Sequence, residues 1–508
     1  MSWKIIWQSL KNADMRKRIV TVLGILFVFR VLAHVPVPIE DSETLKQILD
    51  NLFTVDSPQL LSFLNTISGG ALANFSIMIV GLGPYINASI IMQLLTRAIP
   101  KLETLNKEGE FGRRKINQYT RMLTLPLAII QSIGAIYLVR QAAVQVGGIG
   151  DITAGVGPAQ WVLMIAALTG GAMVLMWLGE LITEQGIGNG ISLLITIGIV
   201  SQLPTTITSI YGAVFTTAGN VSLLGGRIVF DSAQMIFAAI LILVTLAITV
   251  AIVKLNESSR DLTVNYAKRV QGNRAYGGVT TRLPIKLITA GVIPIIFAVA
   301  FLSVPSFAGQ LMVGSGSERL QSIGQTLSVW FANPGPQTFA AGGWEPFIYP
   351  VTYFLLVFLF TFFYTGITFN AKEIAENLQK QGGFIEGVRS GKQTEEYLGK
   401  VVNRLTLFGA SALGIIALIP IVGQVFLTSS IAIEGIGILI LVSVALETLR
   451  SIESRALMVT YDQYEEPDFF YDTSVPAEAA TGARRLRMRM PKIGRGKDKT
   501  NKSDKKKS

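Results

Sequence analysis

Cysteine is absent from the 508 residues, and histidine occurs once, at His34. Disulfides, thiol nucleophiles, Cys/His zinc sites and histidine acid–base pairs therefore lose their usual participants. Charge is scarce too: 15% of residues are charged against 50% hydrophobic, a balance seldom shown by soluble chains of this length. These deficits imply no cofactor, weaken most enzyme classes and favour a polytopic membrane protein.

Long apolar runs are abundant. Stretches of about 20 residues, enough to cross the hydrocarbon, fall near 19–37, 76–98, 122–139, 159–178, 187–209, 234–254, 286–305, 347–369, 402–422 and 431–447. They predict an all-α chain with ten transmembrane helices and both termini on one side. The first run continues into HVPVPIEDSE and not into a small-residue cleavage site, so it reads as a retained span. With the N-terminus inside, residues 1–18, 97–121, 180–186, 254–286, 370–404 and 448–508 are cytoplasmic. They hold 39 of the 44 Lys and Arg, all but Arg30, Lys46, Arg140, Arg227 and Arg319. The net charge of +11 is then mostly a topology signal, with RNA contact at most an addition.

Span interiors are nearly free of charge. Arg30 and Glu434 fall near the outer interface and Glu180 and Glu184 near the inner one. An ion-coupled transporter, the rival reading, keeps ionisable groups at midplane to bind its coupling ion. The glycine-rich GIGNGI at 186–191 lies between two spans with no strand before it, which disfavours a phosphate loop. Residues 1–18 place Trp3, Ile6, Trp7 and Leu10 on one helical face, as expected of an interfacial helix. The tail 451–508 is basic, and from about 475 too polar to fold. Its cations suit anionic lipid or ribosomal RNA, or simply solvent.

Two cytoplasmic loops are more elaborate than connectors. Residues 254–286 suggest a β-hairpin turning at QGNR, with Lys268, Arg269 and Arg274 near its tip. Residues 370–404 suggest a helix over 371–381, a break at Gly382 and Gly383, a basic tip with Arg389 and Lys392, and a second helix entered at Thr394. Such loops look like docking surfaces; the alternative is charge kept only to hold topology.

The segment SGGALANFSIMIVGLGPYINASIIMQLL (68–95), the loop KEGEFGRRKINQYTR (107–121), LMWLGELITEQGIGNGISL (175–193), YAKR, RLPIK and AGVIPIIFA (266–298), and ALETLRSIES (445–454) occur in this order. Together they resemble the SecY family of protein-conducting channels over about residues 10–465. The resemblance implies two inverted five-helix halves, 19–210 and 211–450, around a central pore. It also implies a re-entrant plug helix over about 60–72, hinged at Gly69 and Gly70, followed by a full span from Ser76 to Ala98. By motif, the pore ring is Leu82, Ile86, Ile191, Ile195, Ile296 and Ile440. A lateral gate between the second and seventh spans is implied as well, with Gln93 and Asn189 as polar candidates. The family places such channels in the bacterial cytoplasmic membrane, where they carry unfolded secretory chains across and release membrane segments sideways. Implied partners are SecE-like and SecG-like small subunits, signal peptides and nascent chains, membrane lipids, and the SecA motor ATPase and ribosome, which dock on Lys268, Arg269, Arg274, Arg389 and Lys392. Residue 273 is Asn where the family often has a second Arg.

Overall fold

Hydrophobic runs this long leave the backbone one economical solution in lipid, the helix that satisfies its own hydrogen bonds. The structure, a computed structural model, describes residues 13–38, 68–147, 157–215, 221–223, 228–230, 232–266, 269–271, 274–276, 278, 280–291, 293–313, 317–331, 334, 338–339, 343–426 and 435–462. The expected interfacial face at Trp3–Leu10, plug residues 60–67, Lys268, Glu434 and the tail beyond 462 lie outside the described residues.

In chain order the helices are α1 (Ala13–Leu32), α2 (Gly83–Ala98), α3 (Pro100–Lys107), α4 (Glu110–Gly147), α5 (Pro158–Gln185), α6 (Gly190–Val214), α7 (Ser232–Glu257), α8 (Ile293–Val313), α9 (Glu318–Trp330), α10 (Ile348–Thr368), α11 (Ala371–Lys380), α12 (Lys392–Phe426) and α13 (Gly435–Asp462). Among the described residues, five helical stretches are long and apolar enough to cross a membrane: Pro158–Gln185, Gln234–Glu257, Ile293–Val313, Glu345–Lys380 and Lys392–Gly423. Large apolar side chains lie exposed along them, such as Ile236, Ile240, Leu243 and Leu246 on α7. A lipid-facing surface has that character, and a water-facing one would not hold so large a patch.

The chain divides into two compact units, Met1–Arg455 and Ala456–Ser508. Of the second, only the end of α13 is described. The first unit holds one extended apolar core, in which Met78, Ile182, Leu194, Ile195, Ile295, Tyr353 and Leu439 are almost wholly buried.

Outside the spans the chain is not all-α: the hairpin expected over 254–286 is present, and β1, β2 and β7, which were not expected, correct the rest. Strands β1 (Val221–Leu223) and β2 (Ile228–Phe230) pair antiparallel. Strand β3 (Ser259–Tyr266) pairs with β6 (Thr280–Lys286), and β4 (Arg269–Gln271) pairs with β5 (Arg274–Tyr276) toward the hairpin tip. A third strand, β7 (Gly383–Ile385), adds to β3 with Val264 opposite Ile385. Two loops more than a hundred residues apart thus share one sheet. Leu262, Val264, Ile285, Leu378, Ile385, Leu398 and Val401 form a separate small core there. Helix α11 is capped by the Asn370 side chain, and Gly382 ends the helical segment in the left-handed region at φ +70°.

The expected full span at 76–98 is also corrected. Residues 68–82 run through turns, and helix begins only at Gly83. At 16 residues α2 is about 24 Å long, short of the roughly 30 Å hydrocarbon. Positive φ at Phe75 and Gly81 breaks the helix before Pro84, which suits a first helical turn. The irregular segment meets its backbone needs elsewhere: Val37 N–H donates to Phe75 O at 2.9 Å, Ile77 N–H to Val35 O at 3.0 Å, and Ser76 Oγ to Leu32 O at 2.9 Å. Irregular backbone at membrane depth is tolerated when buried in this way.

Candidate functional site

The turns preceding α2 open onto an apolar cavity of about 490 Å³. Ser68 and Leu72 border it on the turn side, and Ile86, Ile195, Ile296 and Ile440 approach it from α2, α6, α8 and α13. Four of the six expected ring residues therefore meet around one space, each contributed by a different helix. Leu82 and Ile191 belong to the same apolar core but not to the cavity wall. Ile191 instead packs across Gly179, where an added Cβ would lie 3.4 Å from Ile191 Cγ1.

The cavity extends into a seam between α2, α4 and α8. Ile90, Ile91 and Leu94 line it from α2, Leu127 and Ile130 from α4, and Val299, Phe301 and Val304 from α8. Ile91, Ile130, Phe301 and Val304 are exposed, so the seam reaches the outer surface of the bundle. It is closed tightly elsewhere: the Phe307 ring occupies the space that a Cβ on Gly134 would need. Two polar residues not among the expected site residues, Asn87 and Gln131, also line this space. Gln131 Oε1 sits 3.2 Å from where a Cβ on Gly83 would be. The legible signal was a lone glutamine inside the run TLPLAIIQSIGAIYLV.

The two polar residues expected at the gate have different situations. Asn189 caps α6, its Oδ1 accepting from Ile191 N–H at 3.1 Å and Ser192 N–H at 3.5 Å. Gln93 Nε2 donates to Ser89 Oγ at 3.2 Å, while its buried Oε1 has no hydrogen-bond partner among the described residues.

Gly69 and Gly70 both adopt positive φ, +70° and +86°. Gly69 presses against α6, since a Cβ there would lie 3.0 Å from Gly198 Cα. Its carbonyl accepts from Arg30 Nη1 at 2.7 Å and from Ser201 Oγ at 3.4 Å. Arg30, a rare charge within the apolar runs, is thus used to hold this turn.

Arginines also bind backbone carbonyls near the opposite ends of the helices. Arg97 of α2 donates to Gly366 O of α10, and Arg455 Nη1 donates to Gly186 O at 3.3 Å. Glu180, expected near the inner interface, pairs with Arg121 at 2.6 Å. The glycines of GIGNGI serve a tight turn between α5 and α6. Gly186 closes α5 at φ +70°, and a Cβ on Gly190 would collide with Gly179 O. Among the described residues no cluster of His, Cys, Asp and Glu fits a metal ion.

In the strand-rich layer, Arg389 and Lys392 are exposed, and Thr394 Oγ1 ties the tip by donating to Arg389 O at 2.9 Å. Arg269 and Arg274 lie in β4 and β5. Lys286, at the end of β6, is held below the ordinary lysine range by burial and by Arg450, with Glu447 opposing. A hydrogen bond from Lys107 lowers Glu103 below the usual carboxylate range.

The family model described as SecY matches residues 76–449. The protein translocase subunit SecY of Streptomyces galbus is 39% identical over 463 residues, covering 90% of this chain and 98% of the relative. That of Corynebacterium glutamicum is 39% identical over 462 residues with the same coverage. Among solved structures, one described as the structure of a protein conducting channel aligns with TM-score 0.56 and 18% identity, over 85% of this chain and 90% of that one. Sec61 in the canine ribosome-channel complex from the endoplasmic reticulum aligns with TM-score 0.51 and 17% identity over the same shares. Both likenesses are of fold. With the family match spanning most of its length and relatives at 39% identity covered almost end to end, the chain belongs to the SecY family.

Proposed function

We infer that the chain is a protein-conducting channel that passes unfolded secretory polypeptides across the cytoplasmic membrane and releases apolar segments sideways into lipid. The observation that carries this reading is the cavity ringed by Ile86, Ile195, Ile296 and Ile440 and continuous with an exposed seam. An apolar waist dewets when empty and blocks ions, yet offers a passing chain no strong polar site. A seam to lipid lets a segment of about 20 apolar residues leave as a helix with its backbone satisfied.

The finer architecture goes with this reading: ten spans in two inverted halves, 19–210 and 211–450, a plug over 60–72, and both termini cytoplasmic. Charge supports the orientation, and an inverted repeat requires an odd number of spans per half. The channel is not itself an enzyme; energy comes from partners. SecE-like and SecG-like subunits complete it, and SecA or the ribosome docks on the strand-rich layer through Lys268, Arg269, Arg274, Arg389 and Lys392. The test is reconstitution with the small subunits, SecA and ATP: vesicles containing the chain should protect a secretory precursor from added protease. Absence of protection in vesicles that bind SecA normally would reject the reading.

Two further results are expected. Arg389→Glu reverses an exposed charge at the docking tip and lowers motor-driven export several-fold at normal channel abundance; unaltered export kinetics would remove the residue from the docking surface. Arg97→Ala removes the bond from α2 to α10, about 1 kcal/mol at an exposed position. If this α2–α10 contact helps to hold the closed state, that state is weakened roughly fivefold, and precursors with weakened signal sequences are exported better. An unchanged signal requirement would show that the contact between α2 and α10 does not hold the closed state.

A further inference from the structure

Helix α9 folds back on the end of α8 through two glycines. A Cβ on Gly309 would lie 2.8 Å from Gly324 O, and one on Gly324 would lie 2.6 Å from Gly309 O. So close an approach makes α9 an extension of α8, whose preceding turns line the seam. Beside that contact, Leu320, Ile323, Leu327 and Trp330 recur at intervals of three, four and three, forming one apolar stripe. Leu320 and Ile323 remain 39% and 50% exposed among the described residues.

Three observations say what does cover the stripe. Helix α8 starts beside the strand-rich layer and is long enough to span, so α9 stands at the opposite membrane face. There Trp330 packs against the exposed Trp344 at 5.6 Å, with exposed Phe347 close to the start of α10. Indole and phenyl rings gathered where spans end are the pattern of a membrane interface. The stripe is also continuous in character with the exposed Val351 and Leu355 of α10, a lipid-facing span. Helix α9 carries one Glu and one Arg, so attraction to headgroup charge adds nothing.

We propose that α9 is a membrane-interface helix whose ligand is the lipid surface itself, irrespective of headgroup charge, and that it seats the outer end of α8 in the headgroup–acyl boundary. This does not rest on the pore reading. Because the chain has no cysteine, single-cysteine nitroxide labelling of the full chain in phosphatidylcholine nanodiscs tests it. Labels at Ile323→Cys and Leu320→Cys should be readily relaxed by oxygen. Their access to a water-soluble nickel chelate should be at least about fivefold lower than that of Gln325→Cys on the other face, as for side chains seated in the acyl boundary. Adding anionic lipid should leave this contrast unchanged. Equal nickel access at all three positions would put the stripe in water, and low access to both reagents at Ile323 and Leu320 would mean a protein partner covers it. Either result overturns the proposal, and the two stripe positions report independently if one variant fails to insert.

Discussion

Substituting glycine for both Ile86 and Ile195 is expected to raise resting ion leak by at least about tenfold, the change accompanying a barrier lowered by about 1.4 kcal/mol. The two side chains are 7% and 2% exposed and reach the same cavity from α2 and α6. Removing both takes away two branched walls of the cavity and leaves space for water, whose exclusion provides the seal on the proposed function. The substitutions also weaken the core, each by about 2–5 kcal/mol for the lost side chain. Leak is therefore read per inserted channel, with Ile86→Val and Ile195→Val, which keep most of the wall, as the comparison. Normal tightness in a double-glycine channel of normal abundance would place the waist elsewhere.

Gly69→Val is expected to release the turn beneath the cavity and to relax the signal-sequence requirement roughly 5- to 30-fold, equivalent to about 1–2 kcal/mol. A β-branched residue at φ +70° is strained, by about 1–3 kcal/mol. Its Cβ would also face Gly198 Cα at 3.0 Å, a backbone atom of α6 that has nowhere to go. Gly70→Val should act more weakly. Its Cβ would meet Gln202 Nε2 at 2.7 Å, but that is the far end of a flexible side chain. The ordering of the two variants tests the geometry apart from any general loss of stability. Export of a precursor with a defective signal sequence, normalised to channel abundance, gives the readout. Equal effects, or none, would mean that the turn does not hold the closed state.

Hydrophobic length made α5, α7, α10 and α12 legible, because a run of apolar residues has one helical fate in lipid. Local chemistry made the 370–404 segment legible: Asn370 caps α11, Gly382 ends the segment, and Glu395 sits in the first turn of α12. Hydropathy failed at 68–82, where an apolar stretch is held as turns by distant groups such as Leu32 O and Arg30. Strand β7 escaped for a similar reason, since three residues signal nothing until Val264 lies opposite Ile385. Of the candidate site, Ile86, Ile195, Ile296 and Ile440 were read through resemblance alone, because any of them by itself looks like helix core. Asn87, although visible as a polar residue in the apolar run 68–95, and Gln131 carry no signal that separates them from ordinary interhelical polar groups, while the prominent Asn189 is used as a helix cap.

On the proposed function, a translocating polypeptide passes through the space between Ile86, Ile195, Ile296 and Ile440. The most direct measurement uses the absence of native cysteine: a single cysteine at position 86, another in a stalled secretory chain, and a test for a disulfide between them. The expected result is a cross-link that depends on a functional signal sequence and disappears when the cysteine is moved to exposed Leu243 of α7. No cross-link at position 86, in an inserted channel that binds SecA or ribosomes normally, would contradict it.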